Sequence, residues 1–544
     1  MSQPNILFLL SDEHSFRFMG HVPAEAGGEP VETPAFDRLA AGGTVFTDAY
    51  CQMPLCTPSR ISLLTGREVR GCGAWQNDSV LRPELPTLPG TLAAHGYETC
   101  LVGKMHLGGS LQFAGFRHRP YGDLTGRCGH QREMRQEGSR GSLRMRTLGA
   151  GVTEIPESLL QEEIVAQETL AFLREHRHVR PDQPWFLCAS FSRPHFPLTA
   201  PRRWIDRYPP DGIPAPRVPA AGDAYDHPMS AGMRKGFKTD EIEHDEMTRA
   251  RAAYFACVSF LDEIVGDMLL RLEAAGLLEN TVIIYSTDHG EMAGEHGTWW
   301  KNGWYEACTR VPFIVSTPEQ RRGEAPAQAI RTPVGLTDLF PTCCGLAGVP
   351  APAGLDGIDL SAALVFRQLE SAGVEHTQNG SRDRKNHAGH PLGGTEPAER
   401  PIVCDALTPR WGEGTEFRSI RWRQYKYVRF RNAPPLCFDL EADPGEQRNL
   451  LQRGATGDAA DAVAFLRQYA EASIDFDAAE EERTVRDGGL HEQYPLNIPR
   501  STGNQYLLPS GGLLDADAVL YNPPLLTDDA AAAFADYPER VSML

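Results

Sequence analysis

The sequence predicts an α/β protein built on a mainly parallel sheet, and three observations carry that reading. Four short, continuous apolar runs at residues 6–10, 99–102, 185–190 and 281–286 read as strands buried on both faces. Helical patterns lie between them. Each run ends in side chains suited to metal or proton chemistry: Asp12 with Glu13, Lys104, His195, and Asp288 with His289. Open α/β sheets bind ligands at the carboxyl ends of their strands, so these four ends predict one site.

In chain order, the first strand is followed by a helix over residues 34–41, with Thr33 as its N-cap. Residues 45–50 then lead to Cys56-Thr57-Pro58-Ser59-Arg60. Thr57 is a good N-cap and Pro58 suits the first helical position. Ile61, Leu63 and Leu64 continue the helix, and Thr65-Gly66 stops it. Cys56 is thereby expected just before a helix N-terminus, where free N–H groups and the dipole favour an anion. With Arg60 one turn away, a thiol there is easily ionised and reactive. A lone cysteine is more often a buried structural thiol; the string around this one decides otherwise, as set out below.

A helix over residues 88–96, closed by Gly96, precedes the second strand. Residues 109–155, rich in Gly and Arg, read as a long insertion near the site. Residues 158–176 read as a helix and 200–235 as a Pro- and Gly-rich loop. The long helix at 245–275 carries an apolar stripe of Tyr254, Val258, Leu261, Val265, Met268 and Leu272, with Gly276 at its C-cap. Residues 368–400 read as a surface linker. Alternating strands at 417–422, 425–430 and 436–440 form a small antiparallel sheet backed by a helix at 459–473. The expected organisation is a catalytic α/β domain (1–400), a C-terminal subdomain (401–475) and a tail (476–544) that serves oligomerisation.

At 544 residues, 41% hydrophobic and 23% charged, the composition is that of an ordinary soluble globular protein. A formal net charge of −19 argues against a nucleic-acid surface. It also repels anionic substrates at long range, so an anion site must be built locally from Arg, Lys, His and metal. The twelve cysteines are scattered, without a disulfide framework or zinc spacing, as for reduced thiols in a cytoplasm. The N-terminus has no signal-like pattern, and no apolar run is long enough to span a membrane.

Cys56-x-Pro58-Ser59-Arg60-x-x-x-Leu64-Thr65-Gly66-Arg67 resembles the signature of the type I sulfatases, members of the alkaline phosphatase superfamily, at eight specified positions in twelve. The stretch from Asp288-His289-Gly290-Glu291 through Lys301, Glu306 and Arg310-Val311-Pro312 is similar to the family's second block. Asn5 to Asp12 is similar to its first block, Gly103-Lys104-x-His106-Leu107-Gly108 to its G-K-x-H-L-G, and Leu436 to Asn449 to its C-terminal subdomain. The resemblance implies an alkaline-phosphatase-like sheet sandwiched by helices. It implies that Cys56, oxidised to formylglycine by a formylglycine-generating enzyme, serves as hydrated nucleophile and metal ligand. By the same resemblance Asp12, Asp288 and His289 would hold one divalent ion, Arg60 would stabilise the hydrate, Lys104 and Lys301 would neutralise the transferring group, His195 would protonate the leaving group and His106 would deprotonate the hydrate. Asn77 is a candidate substrate amide. The implied partner is a small sulfate ester.

Two departures from the common family pattern stand out. Asp12-Glu13 replaces Asp-Asp, leaving Glu13 open as a ligand. Asp288-His289 resembles the branch of phosphonate monoester hydrolases, choline sulfatases and some arylsulfatases. Hard oxygen ligands suit Ca²⁺, whereas the imidazole tilts the choice toward Mn²⁺. That branch also implies promiscuity toward phosphonate monoesters and phosphodiesters, and a homodimer or homotetramer. Trp75, Trp299 and Trp304 keep a quaternary-ammonium pocket, and hence choline sulfate, open. The alternatives are a phosphonate monoester hydrolase using the same residues, or a metal-stabilised binding protein with unconverted Cys56. A binder, however, has no use for a leaving-group acid.

Overall fold

The computed structural model describes residues 3–123, 145–153, 155–364, 400–495, 505–507 and 513–515. Residues 368–399 of the expected linker, residues 124–144 and 154 of the expected 109–155 insertion, and most of the tail beyond residue 495 lie outside the described residues.

Seven strands form the main sheet: β1 (Asn5–Asp12), β2 (Thr44–Phe46), β3 (Glu98–Gly103), β4 (Trp185–Pro194), β5 (Thr281–Thr287), β6 (Phe313–Ser316) and β7 (Gln328–Ile330). Their order is β7-β2-β6-β5-β1-β4-β3. The four strands expected from the apolar runs are its contiguous parallel part, β5-β1-β4-β3, with β3 at the edge. Strands β2, β6 and β7, which the sequence reading did not resolve, extend it. β6 runs antiparallel to both β5 and β2. β1 is buried along nearly its whole length, as its unbroken apolar run requires.

Helices cover both faces: α1 (Pro34–Ala41), α2 (Cys56–Thr65), α3 (Leu88–Ala94), α4 (Gln161–Val179) and α5 (His244–Ala274). The stripe on α5 is buried, with Leu261, Val265, Met268 and Leu272 packed in one cluster with Leu7, Leu9 and Tyr285. Thr33 is the N-cap residue of α1, but its hydroxyl bonds to Asp37. The capping carboxylate comes from α5 instead: Asp262 accepts from the backbone N–H groups of Ala35 and Phe36 at 3.0 and 2.8 Å. The 200–235 stretch contains the start of a further helix, Pro228–Phe237.

The small sheet has four strands rather than three: β8 (Ile402–Ala406), β9 (Phe417–Trp422), β10 (Tyr425–Phe430) and β11 (Leu436–Asp439), all antiparallel. Helix α6 (Asp458–Ser473) packs behind it. The tail begins with a helix that the sequence reading missed, α7 (Phe476–Gln493). Phe476 and Ala479 enter the core, and Arg70 pairs with Glu482 at 2.7 Å, so the start of this segment is docked on the body. Among the described residues, no helix is long and apolar enough to cross a membrane.

Asp262→Ala removes the acceptor of two buried N–H groups. It is expected to destabilise the fold by about 1–2 kcal/mol, read as a lowered urea midpoint.

Candidate active site

Three neighbouring strands, β1, β4 and β5, end at Asp12, His195 and Asp288-His289, and β3 on their flank ends at Lys104; the parallel direction puts all four ends on one edge. Gly103 has φ 94°, and a Cβ there would meet the Ser190 carbonyl at 2.1 Å. Only glycine lets the chain turn there and aim Lys104 inward.

Helix α2 supplies Cys56 and Arg60, but it starts earlier than expected. Leu55 is the cap residue and Cys56 is the first helical residue. The physical reason is the placement of Thr57. Its hydroxyl donates to the backbone carbonyls of Asn77 and His106 instead of capping. Asn77 Oδ1 takes the Thr57 N–H at 3.2 Å, so the Asn77 amide oxygen faces the helix N-terminus.

Arg60 is fully buried and joins the strand ends. Its Nη2 lies 2.9 Å from Asp12 Oδ2 and its Nε 2.8 Å from Asp288 Oδ2. Its Nη1 donates to the Lys104 carbonyl at 2.7 Å and to Ser190 Oγ at 3.0 Å. These partners hold the two carboxylates rather than the side chain at position 56.

Around Cys56 Sγ stand Lys301 Nζ at 3.0 Å, His289 Nε2 at 3.4 Å and Asp12 Oδ1 at 3.7 Å. Burial pushes the thiol pKa up, but Lys301, Lys104 and His289 outweigh it, and His106 adds a hydrogen bond; the pKa falls well below the usual thiol value. The pocket therefore favours negative charge at this position. Lys104 lies 2.7 Å from Asp12 Oδ2. Burial raises the Asp12 pKa and the Cys56 thiolate adds to this, yet Lys104, His195 and Lys301 hold it below the usual carboxylate range. Burial and the same two lysines lower the His195 pKa to about 3, although Asp12 opposes them.

His195 Nδ1 lies 2.6 Å from the Phe196 carbonyl, so Nδ1–H donates there and Nε2 faces the site. His106 has φ 55°, and its backbone N–H is held by Asp123 at 3.1 Å. Asp123, in the stretch read as an insertion, carried no periodic signal. Glu13 (φ 63°) sends its Oε2 to Lys301 Nζ at 3.2 Å and to His195 Nε2 at 3.3 Å. Burial and the Glu291 carboxyl raise its pKa despite Lys301.

Asp12, Cys56, Asp288 and His289 each offer a ligand atom within 4.8 Å of the others. The set fits a divalent ion. His289 Nε2 lies 3.4 Å from Asp288 Oδ1 and 3.8 Å from Asp12 Oδ1, close to the edge of about 3.4 Å that right-angled bonds of roughly 2.4 Å require. His289 Nδ1 donates to the Gly290 carbonyl at 3.0 Å, which fixes the ring with Nε2 toward the ligands. Glu13 also belongs to a second group of potential ligand atoms, with Asp12 and His195.

All three tryptophans considered for a cationic group lie in the interior. Trp75 and Trp304 are fully buried and Trp299 nearly so. Trp304 stacks on Phe438 and already faces Lys426. The rings nearest the site cations are Phe196 and Trp300, 6.0 and 5.6 Å from Lys301 Nζ. They flank recognised motifs, but nothing in their spacing marks them.

The Sulfatase family model matches residues 4–349. A choline-sulfatase from Rhizobium meliloti (strain 1021) is 30% identical over 508 residues, covering 90% of this chain and 91% of its own length. An arylsulfatase from Clostridium perfringens (strain 13 / Type A) is 26% identical over 473 residues, covering 82% and 90%. Among solved structures, the phosphonate monoester hydrolase of Agrobacterium radiobacter superposes with a TM-score of 0.65 at 22% identity, over 87% of this chain and 95% of its own; this likeness is one of fold. The chain belongs to the sulfatase family and is a hydrolase of sulfate esters.

Asp288→Asn weakens both the ligand set and the Arg60 contact. The expected result is loss of most of the bound divalent metal, measured as metal per chain by plasma mass spectrometry after gel filtration.

Proposed function

We propose that the protein hydrolyses sulfate monoesters through an oxygen nucleophile made from Cys56. The observation that carries this reading is the buried, cation-ringed position 56 at the start of α2, with Lys301 at 3.0 Å and His289 at 3.4 Å. Oxidation of Cys56 by a formylglycine-generating enzyme would supply a hydrated aldehyde as the oxygen nucleophile. Asp12, Asp288 and His289 would hold a divalent ion, Ca²⁺ or Mn²⁺, which would supply Lewis acidity.

The chain's own residues do the rest. Lys104 and Lys301 neutralise the charge that develops on the transferring group. In its protonated form His195 carries Nε2–H toward the leaving oxygen and gives up that proton; an anionic sulfuryl group favours this form by offsetting Lys104 and Lys301, which otherwise hold the ring neutral, and the Nδ1 contact with Phe196 fixes the direction. His106, whose backbone Asp123 holds, takes the proton that releases sulfate. A covalent step divides one difficult displacement into two easier ones. Arg60 acts through the two carboxylates it clamps. Asn77 acts through the α2 N-terminus and is a candidate substrate amide. Glu13 sets the positions of Lys301 and His195 more readily than it ligates metal.

The same cations serve a phosphonate monoester, which also carries one negative charge, so phosphonate monoester hydrolysis is the second reading; the fold shared with the Agrobacterium radiobacter enzyme favours it. Eleven described cysteines are buried and outside any disulfide, which supports a reducing, cytoplasmic setting. Residues beyond α7 are proposed to make the assembly contacts. Deleting residues 496–544 is expected to lower the mass per particle in light scattering; an unaltered mass retires that assignment.

The test of function compares kcat/KM for an aryl sulfate and the matched aryl phosphonate monoester on one metal-loaded preparation. The expected outcome is a sulfate preference of at least tenfold. Cys56→Ala should retain the fold by circular dichroism and lose turnover by about 10³-fold or more. Full turnover in that variant, or a Cys56 peptide that alkylates quantitatively as a thiol in an active preparation, refutes the nucleophile assignment.

A further inference from the structure

The loop between β8 and β9 meets the segment that carries Lys301. Trp411 Nε1 donates to the Asn302 carbonyl at 2.7 Å, pinning this loop to the segment that carries Lys301. The Trp411 ring meets Trp300 edge-on at 5.8 Å. Beside it, Arg410 Cζ sits 4.8 Å from the Trp300 ring centroid, and Lys301 Nζ lies 5.6 Å from the same centroid. Two cations therefore share one indole, and one of them touches position 56. Phe196, half-buried and stacked on His195 at 4.0 Å, faces Lys301 from another side. Through the Trp300 ring, Arg410 Cζ and Lys301 Nζ stand within about 10 Å of each other, and Lys301 Nζ is 3.0 Å from Cys56 Sγ.

Arg410 differs from every other cation of this cluster. Arg60, Lys104 and Lys301 are each within 3.2 Å of a carboxylate. Arg410 is exposed and, among the described residues, has no carboxylate within 4.0 Å. In a chain of net charge −19, an arginine left without a counter-charge beside the site is an unusual placement. The two indoles crowd the guanidinium, so it gains more from an incoming anion than a fully hydrated side chain would.

We propose that Arg410, resting on Trp300, forms a leaving-group subsite for a second anionic substituent, a carboxylate or a further sulfate, on the alcohol of the sulfate ester. This rests on the sulfatase reading and adds a substrate class to it. The sulfuryl group lies against Lys301 and Lys104, the ring or chain of the alcohol packs on Phe196, and the outer anion meets the planar guanidinium. The same placement disfavours a quaternary ammonium alcohol, which Arg410 and Lys301 both repel. It separates this chain from its choline-sulfatase relative in preference while keeping the reaction.

The test uses 4-sulfooxybenzoate, phenyl sulfate and choline sulfate as probes. With the wild type and Arg410→Gln, kcat/KM is measured for each. With Cys56→Ala forms of both, calorimetric Kd is measured for the same three esters, which then stay intact. The expected result is that Arg410→Gln lowers the preference for 4-sulfooxybenzoate over phenyl sulfate about tenfold in kcat/KM and in Kd. Arg410→Glu is expected to shift the preference further, toward choline sulfate. Ratios unchanged within twofold, or no binding of 4-sulfooxybenzoate, overturn the subsite while turnover of phenyl sulfate keeps the sulfatase reading. Shifted Kd ratios without turnover of any ester keep the subsite and overturn the sulfatase reading.

Discussion

The active-site edge depends on one guanidinium. Arg60 reaches from α2 and binds groups at or just past the ends of three strands, Asp12, Asp288 and the Lys104 carbonyl, and Ser190 within a fourth. Its planar fork spreads donors in fixed directions, which a lysine could not do. Two buried carboxylates close to one cysteine side chain would otherwise repel each other. With Arg60 behind them and Lys104 beside Asp12, they stand as a prepared ligand set. Removing one partner from such a network leaves an uncompensated buried charge, which costs several kcal/mol.

The molecule is acidic overall yet concentrates positive charge at one point. Lys104, Lys301 and Arg60 are all buried around position 56. Their effect is local, because fields in a low-dielectric interior are strong at short range while the distant negative surface is screened. The thiol at position 56 reports this field through its lowered pKa. The electrostatics that favour a thiolate there favour any anionic oxygen or sulfuryl group in its place.

The C-terminal sheet is part of this construction. Lys426 of β10 inserts between Glu306 and Glu446 at 3.0 and 2.6 Å, and Tyr50 donates to Glu306 at 2.9 Å. Glu306 closes the segment that carries Lys301, so that segment is held at one end by an ion triad and at Asn302 by Trp411. The small sheet thus helps to fix the segment that carries Lys301, and the loop after β8 places Arg410 against Trp300.

Much of this was legible in the sequence because it is local. Unbroken apolar runs gave the four central strands, and the residues just past them gave Asp12, Lys104, His195, Asp288 and His289. The stretch Cys56 to Arg67 pointed to the nucleophile helix. What sequence reasoning missed depends on contacts between distant segments. The short strands β2, β6 and β7 are defined by pairing across the sheet, not by length or period. Thr57 looked like a cap, but the carbonyls of Asn77 and His106 claim its hydroxyl. The direction of the Glu13 side chain, the support of His106 by Asp123 and the meeting of Arg410 with Trp300 follow from chain packing across tens to hundreds of residues. Local propensity, spacing and the family resemblance nominated the candidate residues; only the tertiary structure decided which of them touch, because hydrogen bonds and ion pairs depend on distances that chain order does not contain.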